Sequence, residues 1–222
     1  MEQAVGCAMW SHPAWAGRYL PRGLPPRERL RAYASYLNAV EGNTTFYATP
    51  SPDTVRSWAE QVGPSFRFVL KLPKQVTHVH RLATSGDEQL HAFLTAIEPL
   101  GERAHSLWIQ LPPAFGPGGV GSLAGFLRRL PRDHRYCVEV RHPAFFTDPQ
   151  AERQLEQALS AVGAEWATFD TTVLFESPPD SDIEREAHEK KPRVPRRTRA
   201  LTDRPVVRYI GRDDPERTVA GW

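Results

Sequence analysis

The sequence has little of what marks an exported or membrane protein. Only two cysteines, Cys7 and Cys137, occur in 222 residues, which is too few for a disulfide framework and indicates a reducing, cytoplasmic compartment. No apolar run approaches the roughly 20 residues of a membrane span. The first residues lack the basic and apolar regions of a secretory signal. We therefore expect neither membrane association nor export.

An excess of charge of one sign is also missing. The 28 Lys and Arg residues nearly balance the 26 Asp and Glu residues, for a net charge of +2. Because a dedicated nucleic-acid-binding protein normally carries a strong positive excess, this class is disfavoured. A hydrophobic content of 40% with 10% aromatics excludes a disordered chain and is sufficient for a core.

Short apolar segments alternate with helical patterns along the whole chain. Seven segments predict strands: Ala4–Met9, Asn38–Gly42, Phe66–Lys71, Ser106–Leu111, Tyr136–Arg141, Glu165–Asp170 and Pro205–Ile210. This alternation is typical of an α/β protein with a parallel sheet. The turn after the first strand has no glycine-rich nucleotide motif, which favours a barrel over a doubly wound sheet. We predict a single TIM-like (β/α) barrel domain over residues 1–222, in which seven strands are recognisable and the usual last strand is not accounted for.

Helix starts are indicated by residues that cap the first turn. Ser51-Pro52 and Asp148-Pro149 each combine a capping side chain with a proline at the first helical position. Residues 85–88 (Ser-Gly-Asp-Glu) have the spacing of a capping box, and residues 214–216 (Asp-Pro-Glu) predict one more helix start.

The segment 176–204 differs in composition from the rest of the chain. It has almost no large apolar residues, its first half is acidic, and its second half is basic. We interpret it as a long, mobile insert between the sixth and seventh strands. A lid or an anion-binding arm is the alternative interpretation. The basic part, Lys190–Arg199, keeps nucleic-acid or regulatory binding open as a further hypothesis.

Polar residues stand at the carboxyl ends of the predicted strands. In a parallel barrel this rim carries the functional side chains, and residues two apart in a strand share a face. The rim residues are Glu41, Asn43, Lys71, Gln110, Glu139, Arg141, His142, Asp170 and Arg208. Because unpaired buried charges are costly, these groups must pair with each other or bind a ligand. A ligand site is our interpretation, with a structural ion network as the alternative.

Several histidines and one tryptophan are weaker candidates. His78 and His80 have the i, i+2 spacing of a metal-binding pair but lack a definite third ligand, so a loop pair is the simpler interpretation. His12 and His142 each precede a proline after a strand and could act as acid–base groups at the rim. Trp10 could line a pocket beneath them or merely pack below it as part of an aromatic layer.

Seven sequence blocks occur in an order found in one known family. They are Gly6–Gly17, Val40–Tyr47, Phe66–Lys71, Thr77–His78, Gln110–Pro113, Glu139–His142 and Val207–Gly211. Together they resemble the YecE-like family, domain of unknown function 72, over nearly the whole chain. The resemblance implies a TIM-like barrel without a settled biochemical activity. The family's polar blocks fall on the rim residues and on His78.

The sequence departs from the family pattern in three places. Gly42 stands where the family more often has an aliphatic residue, and Phe145 stands where many members have tryptophan. Family members usually continue past the block that ends in Ile-Gly-Arg through a helix and a final strand, whereas this sequence stops at Trp222. We therefore expect closure by seven strands, or an eighth place that is open or filled by a partner.

The functional hypothesis is an enzyme of the isomerase or hydrolase type with a small polar, anionic or phosphorylated substrate at the rim. The proposed acid–base residues are Glu139, then Glu41 or Asp170, with His142 as a second proton carrier. The proposed substrate-binding residues are Trp10, Asn43, Lys71, His78, Gln110, Arg141 and Arg208. No organic cofactor is evident. A divalent-metal site built from Glu41, Glu139, Asp170 and a histidine is an alternative. No oligomeric state is predicted.

Overall fold

A computed structural model describes residues 3–214 of the chain. The chain has an α/β fold with a parallel six-stranded sheet, as the sequence predicts. The strands lie in chain order: β1 (Gly6–Cys7), β2 (Ala39–Gly42), β3 (Arg67–Lys71), β4 (Ala104–Gln110), β5 (Tyr136–Glu139) and β6 (Glu165–Trp166). Two further strands, β7 (Thr168–Asp170) and β8 (Val207–Tyr209), form a separate parallel pair.

The helices alternate with the strands along the chain. They are α1 (Arg29–Tyr33), α2 (Thr44–Tyr47), α3 (Pro52–Glu60), α4 (Asp87–Ile97), α5 (Val120–Arg129), α6 (Ala144–Thr147), α7 (Pro149–Ser160) and α8 (Asp182–Lys190). The predicted caps of α3 and α7 are confirmed, because Ser51 accepts a hydrogen bond from the Thr54 backbone and Asp148 accepts one from the Gln150 backbone. The predicted helix start at residues 214–216 extends outside the described residues.

The capping box predicted at residues 85–88 is wrong. A 3-10 turn, Thr84–Gly86, precedes α4, and no side chain caps the helix. The Ser85 hydroxyl instead bonds His80 Nδ1 at 3.0 Å. The hydroxyl is therefore engaged with the preceding loop and not with the first turn of the helix.

The predicted sixth strand, Glu165–Asp170, is divided between the two sheets. Trp166 pairs with Val138 of β5, and the next backbone N–H, that of Ala167, donates to the same Val138 carbonyl at 2.9 Å. From Thr168 onward the pairing passes to β8, where Thr168 lies opposite Val207. Within residues 3–214 the strands thus form two sheets, and the predicted closed barrel is not confirmed.

The chain forms two compact units, of which the first comprises Met1–Gln110 and Pro131–Tyr136. Its core is rich in aromatic rings, and Tyr33 joins the first two strands. The Tyr33 hydroxyl accepts from the Cys7 backbone at 2.6 Å and donates to the Ala39 carbonyl at 2.8 Å. Burial raises the pKa of the Tyr33 phenol, so it stays protonated and can donate. Gly6 is required here, since a Cβ atom would collide with the Ala39 carbonyl.

The second unit comprises Leu111–Leu130 and Cys137–Trp222. Leu155 and Leu159 of α7 are fully buried, and the Phe145 and Trp166 rings meet edge to face at 6.5 Å. Apolar residues three and four apart on α5 and α7 explain this core, as the helical spacing predicts. The single-domain assignment for residues 1–222 stays a prediction.

The insert at 176–204 contains a helix that the sequence interpretation missed. The backbone N–H of Glu184 donates to Ser181 Oγ at 3.2 Å at the start of α8. Glu184 is buried, and its pKa is lowered by hydrogen bonds from the backbone N–H groups of Asp180 and Asp213 and by Arg212. Ionic contacts therefore anchor a helix that has no apolar stripe. The predicted mobility of the insert stays a prediction.

Candidate functional site

Three predicted site residues of the first unit meet around a buried ammonium group. Lys71, the last residue of β3, is 5% exposed, and its Nζ atom donates to Gln110 Oε1 at 2.8 Å. The same Nζ atom lies 3.2 Å from Glu41 Oε1 and 5.7 Å from the centroid of the Trp108 ring. Because a buried ammonium ion needs compensation, the carboxylate and the amide together hold it in place.

Asn43 and Thr45 support this cluster through the backbone. Asn43 Nδ2 donates to the Ala8 carbonyl at 2.9 Å, which ties the chain after β2 to the chain after β1. The fully buried Thr45 hydroxyl donates to the Lys71 carbonyl at 2.7 Å. Sequence reasoning missed Thr45, although it lies two residues after Asn43 in a block with polar residues.

His78 lies on an irregular turn of the first unit. Residues Gln75–Val79 form a π-helical turn, a feature that is frequent at functional sites. His78 Nδ1 bonds the Thr77 hydroxyl at 2.8 Å, and its ring meets Phe46 edge to face at 5.1 Å. His80 bonds Ser85 instead, so these two histidines have different neighbours.

Trp10 packs within the same unit. Its ring meets Trp58 edge to face at 5.3 Å, and Trp58 stacks on Phe68 at 6.4 Å. These contacts support the interpretation of Trp10 as part of an aromatic layer. Its role in lining a pocket stays a prediction.

In the second unit, Glu139 and Arg141 form a tight ion pair. Glu139 is fully buried, and its Oε1 atom accepts from Arg141 Nε at 2.5 Å. Their i, i+2 spacing at the end of β5 explains why both side chains lie on one face. Among residues 3–214, Glu139 Oε2 has no hydrogen-bond partner. An unsatisfied buried carboxylate oxygen costs stability.

A second arginine lies close to the same aromatic ring as Arg141. The Cζ atoms of Arg141 and Arg208 lie 5.7 Å and 5.5 Å from the centroid of the Phe169 ring. Arg141 is only 15% exposed, so its guanidinium is held by the carboxylate and the ring together. Two guanidinium groups therefore lie close to one aromatic ring, and Glu139 balances the charge of Arg141.

Asp170 is buried and contacts the insert. Its Oδ1 atom accepts from the Thr172 backbone at 2.9 Å, and its Oδ2 atom lies 3.6 Å from Arg196 Nη1. Burial and the nearby Asp170 charge raise the pKa of Tyr209. Sequence reasoning placed Arg196 in a solvated arm and missed this contact.

His142 follows the Glu139–Arg141 pair in the chain. Its Nδ1 atom accepts from the Ala144 backbone at 3.2 Å, and its ring meets Phe145 edge to face at 6.3 Å. The structure thus brings together Glu41, Lys71 and Gln110 in one unit and Glu139 with Arg141 in the other. That all of them share one rim stays a prediction.

Neither a metal centre nor a membrane span is visible in the described part of the chain. Within residues 3–214 no three His, Cys, Asp or Glu side chains are grouped so that they could hold a metal ion. In the same range no helix has the length and apolar character needed to cross a bilayer.

The fold and these strand-end clusters define an α/β protein with a parallel sheet and buried ion pairs. Residues 4–221 match the family described as protein of unknown function DUF72. The chain is 38% identical over 210 residues to UPF0759 protein YecE of Escherichia coli, both strain K12 and O157:H7, which covers 95% of this chain and 74% of the relative. The chain therefore belongs to the DUF72 family, and the resemblance seen in its sequence blocks is confirmed.

Two crystal structures of DUF72 family proteins are similar to this fold. The Enterococcus faecalis protein has a TM-score of 0.67 at 23% identity, over 99% of this chain and 72% of that one. The Thermotoga maritima protein has a TM-score of 0.69 at 25% identity, over 95% and 75% of the two chains. These likenesses support the α/β fold, and they establish no activity.

Proposed function

We propose that the protein is an enzyme of the isomerase or hydrolase type that acts on a small anionic or phosphorylated substrate, and that Arg141 binds the anion. One observation carries this proposal. The Nε atom of Arg141 is fixed on Glu139, whereas its Nη1 and Nη2 atoms have no hydrogen-bond partner among residues 3–214. A guanidinium held in this way presents a fixed fork that matches a carboxylate or a phosphate.

Glu139 is the proposed proton-transfer residue. Its Oε1 atom is engaged by Arg141, and its Oε2 atom has no partner in the described part of the chain. Because Glu139 is fully buried, a neighbouring group must move before a substrate reaches Oε2. Such an environment keeps water away from the carboxylate.

The other sequence-based assignments are kept as proposals. Arg208 is the proposed second cation that binds the anion, because its guanidinium lies close to the Phe169 ring. Asp170, the residue after Phe169, is the proposed second carboxylate. In the first unit, Glu41 is a proposed acid–base residue beside Lys71. The remaining proposed substrate-binding residues are Trp10, Asn43, Lys71, His78 and Gln110.

Arginine variants and inorganic phosphate test the proposal. We expect phosphate to raise the melting temperature of the wild-type protein. A charge-assisted hydrogen bond contributes about 1.5–3 kcal/mol, so R141K, which keeps the charge but loses the fork, should bind phosphate roughly 10- to 100-fold more weakly. R199A is the matched control, because the Arg199 side chain is 72% exposed. If R141K and R141A bind phosphate as the wild type does, the proposal is wrong.

The proton-transfer role of Glu139 is tested by a separate measurement, that of turnover. Once a turnover assay is found by screening phosphorylated sugars and hydroxy acids, E139Q should lose most of the turnover while it keeps phosphate binding. Glutamine preserves an acceptor for Arg141 but cannot carry the proton. Unchanged turnover in E139Q would remove Glu139 from the mechanism and leave the anion site intact.

The contacts of the insert weigh against nucleic-acid binding by residues 190–199. Arg197 pairs with Glu152 and Glu156, and Arg196 lies against Asp170, so these cations are engaged within the chain. Binding to a short DNA or RNA at low salt that disappears when residues 176–204 are deleted would revive this alternative. The divalent-metal alternative lacks a ligand group in residues 3–214 and is tested by elemental analysis with and without chelation.

We also propose that the strands close into a TIM-like barrel and that the protein is cytoplasmic. The first proposal is supported by parallel strands in chain order with helices between them. The second is supported by two cysteines that are both free thiols. A crystal structure tests the first, and cell fractionation tests the second.

A further inference from the structure

One four-residue motif occurs twice and makes the same local contacts each time. His12–Trp15 and His142–Phe145 both read His-Pro-Ala-aromatic. In each copy the fourth backbone N–H donates to the histidine carbonyl, at 3.0 Å in the first and 3.2 Å in the second. In each copy the histidine ring contacts the aromatic ring, with centroids 6.1 Å and 6.3 Å apart. The two copies of the motif therefore share one pattern of hydrogen bonding and ring contact.

The repeated turn fixes which ring nitrogen of the histidine accepts a hydrogen bond. The Ala14 backbone N–H donates to His12 Nδ1 at 3.3 Å, and the Ala144 backbone N–H donates to His142 Nδ1 at 3.2 Å. A backbone N–H is only a donor, so Nδ1 must present its lone pair. In the neutral ring the proton then resides on Nε2.

We infer that His12 and His142 are held as neutral Nε2–H hydrogen-bond donors, and that His142 donates to an anionic oxygen of the substrate. For its ligand this inference rests on the proposed function, whereas the tautomer does not. His142 follows Arg141 directly in the chain. In the proposed site it supplies a neutral donor in addition to the cationic Arg141, in place of the second proton carrier that the sequence suggested.

This assignment changes the chemistry available to the site. A neutral imidazole N–H stabilises an oxygen that gains negative charge, without delivering its proton. Proton transfer is then left to a carboxylate, for which Glu139 is the proposed residue. In this mechanism the carboxylate takes a proton from a carbon beside a carbonyl, and the electron pair of that C–H bond passes to the carbonyl oxygen. Where that first carbon bears a hydroxyl group, the hydroxyl proton passes to the former carbonyl oxygen and the carboxylate returns its own proton to the former carbonyl carbon, which yields an isomeric hydroxycarbonyl compound with all atoms conserved. The inference thus favours isomerisation over hydrolysis.

A glycine leaves the donor atom uncovered. A Cβ atom at Gly116 would lie 3.3 Å from His142 Nε2, whereas a Cβ atom at Gly118 of the same loop would have nothing within 4 Å. G116A therefore places a methyl group against the Nε2 side of the ring, opposite the Nδ1 hydrogen bond. G118A is the matched control.

The tautomer is tested by nitrogen-15 NMR of the histidine rings at about pH 8, well above the ordinary histidine pKa of about 6.5. We expect His142 to show protonated Nε2 and unprotonated Nδ1 with no averaging between tautomers, and His12 to show the same. Exposed His91 of α4 is the reference for an averaged ring. H12N and H142N assign the signals. A protonated Nδ1 at His142, or averaging like that of His91, overturns the inference.

The donor role is tested by titrating the variants with inorganic phosphate. Asparagine at 142 keeps an acceptor for the Ala144 N–H but lacks the Nε2 donor, so H142N should keep its melting temperature and bind phosphate several-fold to about tenfold more weakly. G116A should also bind more weakly, and G118A should bind as the wild type does. Wild-type affinity in both H142N and G116A overturns the donor role.

Failure of the proposed function gives a different result. If R141K binds phosphate normally while H142N does not, the arginine assignment is wrong and the histidine donor stands. If the wild-type protein does not bind phosphate, the proposed anion site and the donor role are both overturned, and the NMR result alone decides the tautomer.

Discussion

Replacement of Arg197 tests whether buried charge holds the insert to the second unit. Arg197 and Arg199 both contact Glu156, but the Arg197 side chain is 7% exposed and the Arg199 side chain is 72% exposed. The Arg197 pair is 2.5 Å long, and the Arg199 pair is 3.5 Å long. Only Arg197 also lies over Trp166, with its Cζ atom 4.4 Å from the ring centroid, and only Arg197 reaches Glu152, at 3.2 Å.

These contacts set the expected size of the effect. Removing one partner of a buried ion pair costs about 3–5 kcal/mol, and a desolvated cation–π contact contributes about 2 kcal/mol. Glu152 is 46% exposed and can be solvated when Arg197 is lost, which lowers the total. We therefore expect R197A to lose about 3 kcal/mol of unfolding free energy, against less than about 1 kcal/mol for the exposed pair in R199A.

Urea unfolding followed by tryptophan fluorescence measures both variants. For a protein of this length, about 3 kcal/mol corresponds to a fall of roughly 6–12 °C in melting temperature. Combining each arginine variant with E156Q gives a double-mutant cycle, and the coupling should be large for Arg197 and small for Arg199. Unfolding free energies of R197A and R199A that agree within about 0.5 kcal/mol would refute the idea of a buried ionic anchor.

Two further predictions concern other buried charges. The backbone N–H of Asp180, with help from Arg212, lowers the pKa of Glu184 below 4.5, so the stability that this carboxylate contributes is present above pH 4.5 and is lost as the pH falls. Wild-type protein should therefore lose more stability than E184Q between about pH 5 and about pH 3 in urea unfolding, and parallel losses would contradict this. K71M leaves Glu41 buried without its ammonium partner 3.2 Å away, and should cost about 3–5 kcal/mol. The K71M/E41L variant should recover most of that loss, and no recovery would show that the pair is not the cause.

The strands were largely predictable because local signals agree in this sequence. Runs such as Phe66–Lys71 combine β-branched or aromatic residues with prolines or turn residues at their ends, and β3 is found at Arg67–Lys71. The first strand was predicted too long, because only Gly6–Cys7 pairs with β2. The break at Ala167 was not predictable, since it depends on which neighbour each half of the strand pairs with and not on the residues themselves.

The ion pairs were predictable only where the two partner residues are close in sequence. The period of a strand places Glu139 and Arg141 on one face, and the structure pairs them. The contact between Asp170 and Arg196 joins residues that are 26 positions apart through an insert without a hydrophobic pattern. The α8 helix carried a recognisable signal, Ser181 followed by Glu184, but its lack of apolar residues hid it.

The insert shows why the net charge of a sequence is a poor guide to its electrostatics. Composition suggests that the arginines of residues 190–199 are available to an external polyanion. In the structure, Arg197 instead forms an ion pair with α7, and Arg196 lies close to Asp170. The Glu165 carboxylate, also buried, accepts from the backbone of Leu201 and Thr202, so the end of the insert is held by hydrogen bonds as well. These polar anchors tie down a segment in which Val194 is one of few apolar residues to be buried. Arg196 is the exception, since its side chain is 48% exposed and its contact is long at 3.6 Å. It is therefore easier for an entering anion to recruit than the buried Arg197.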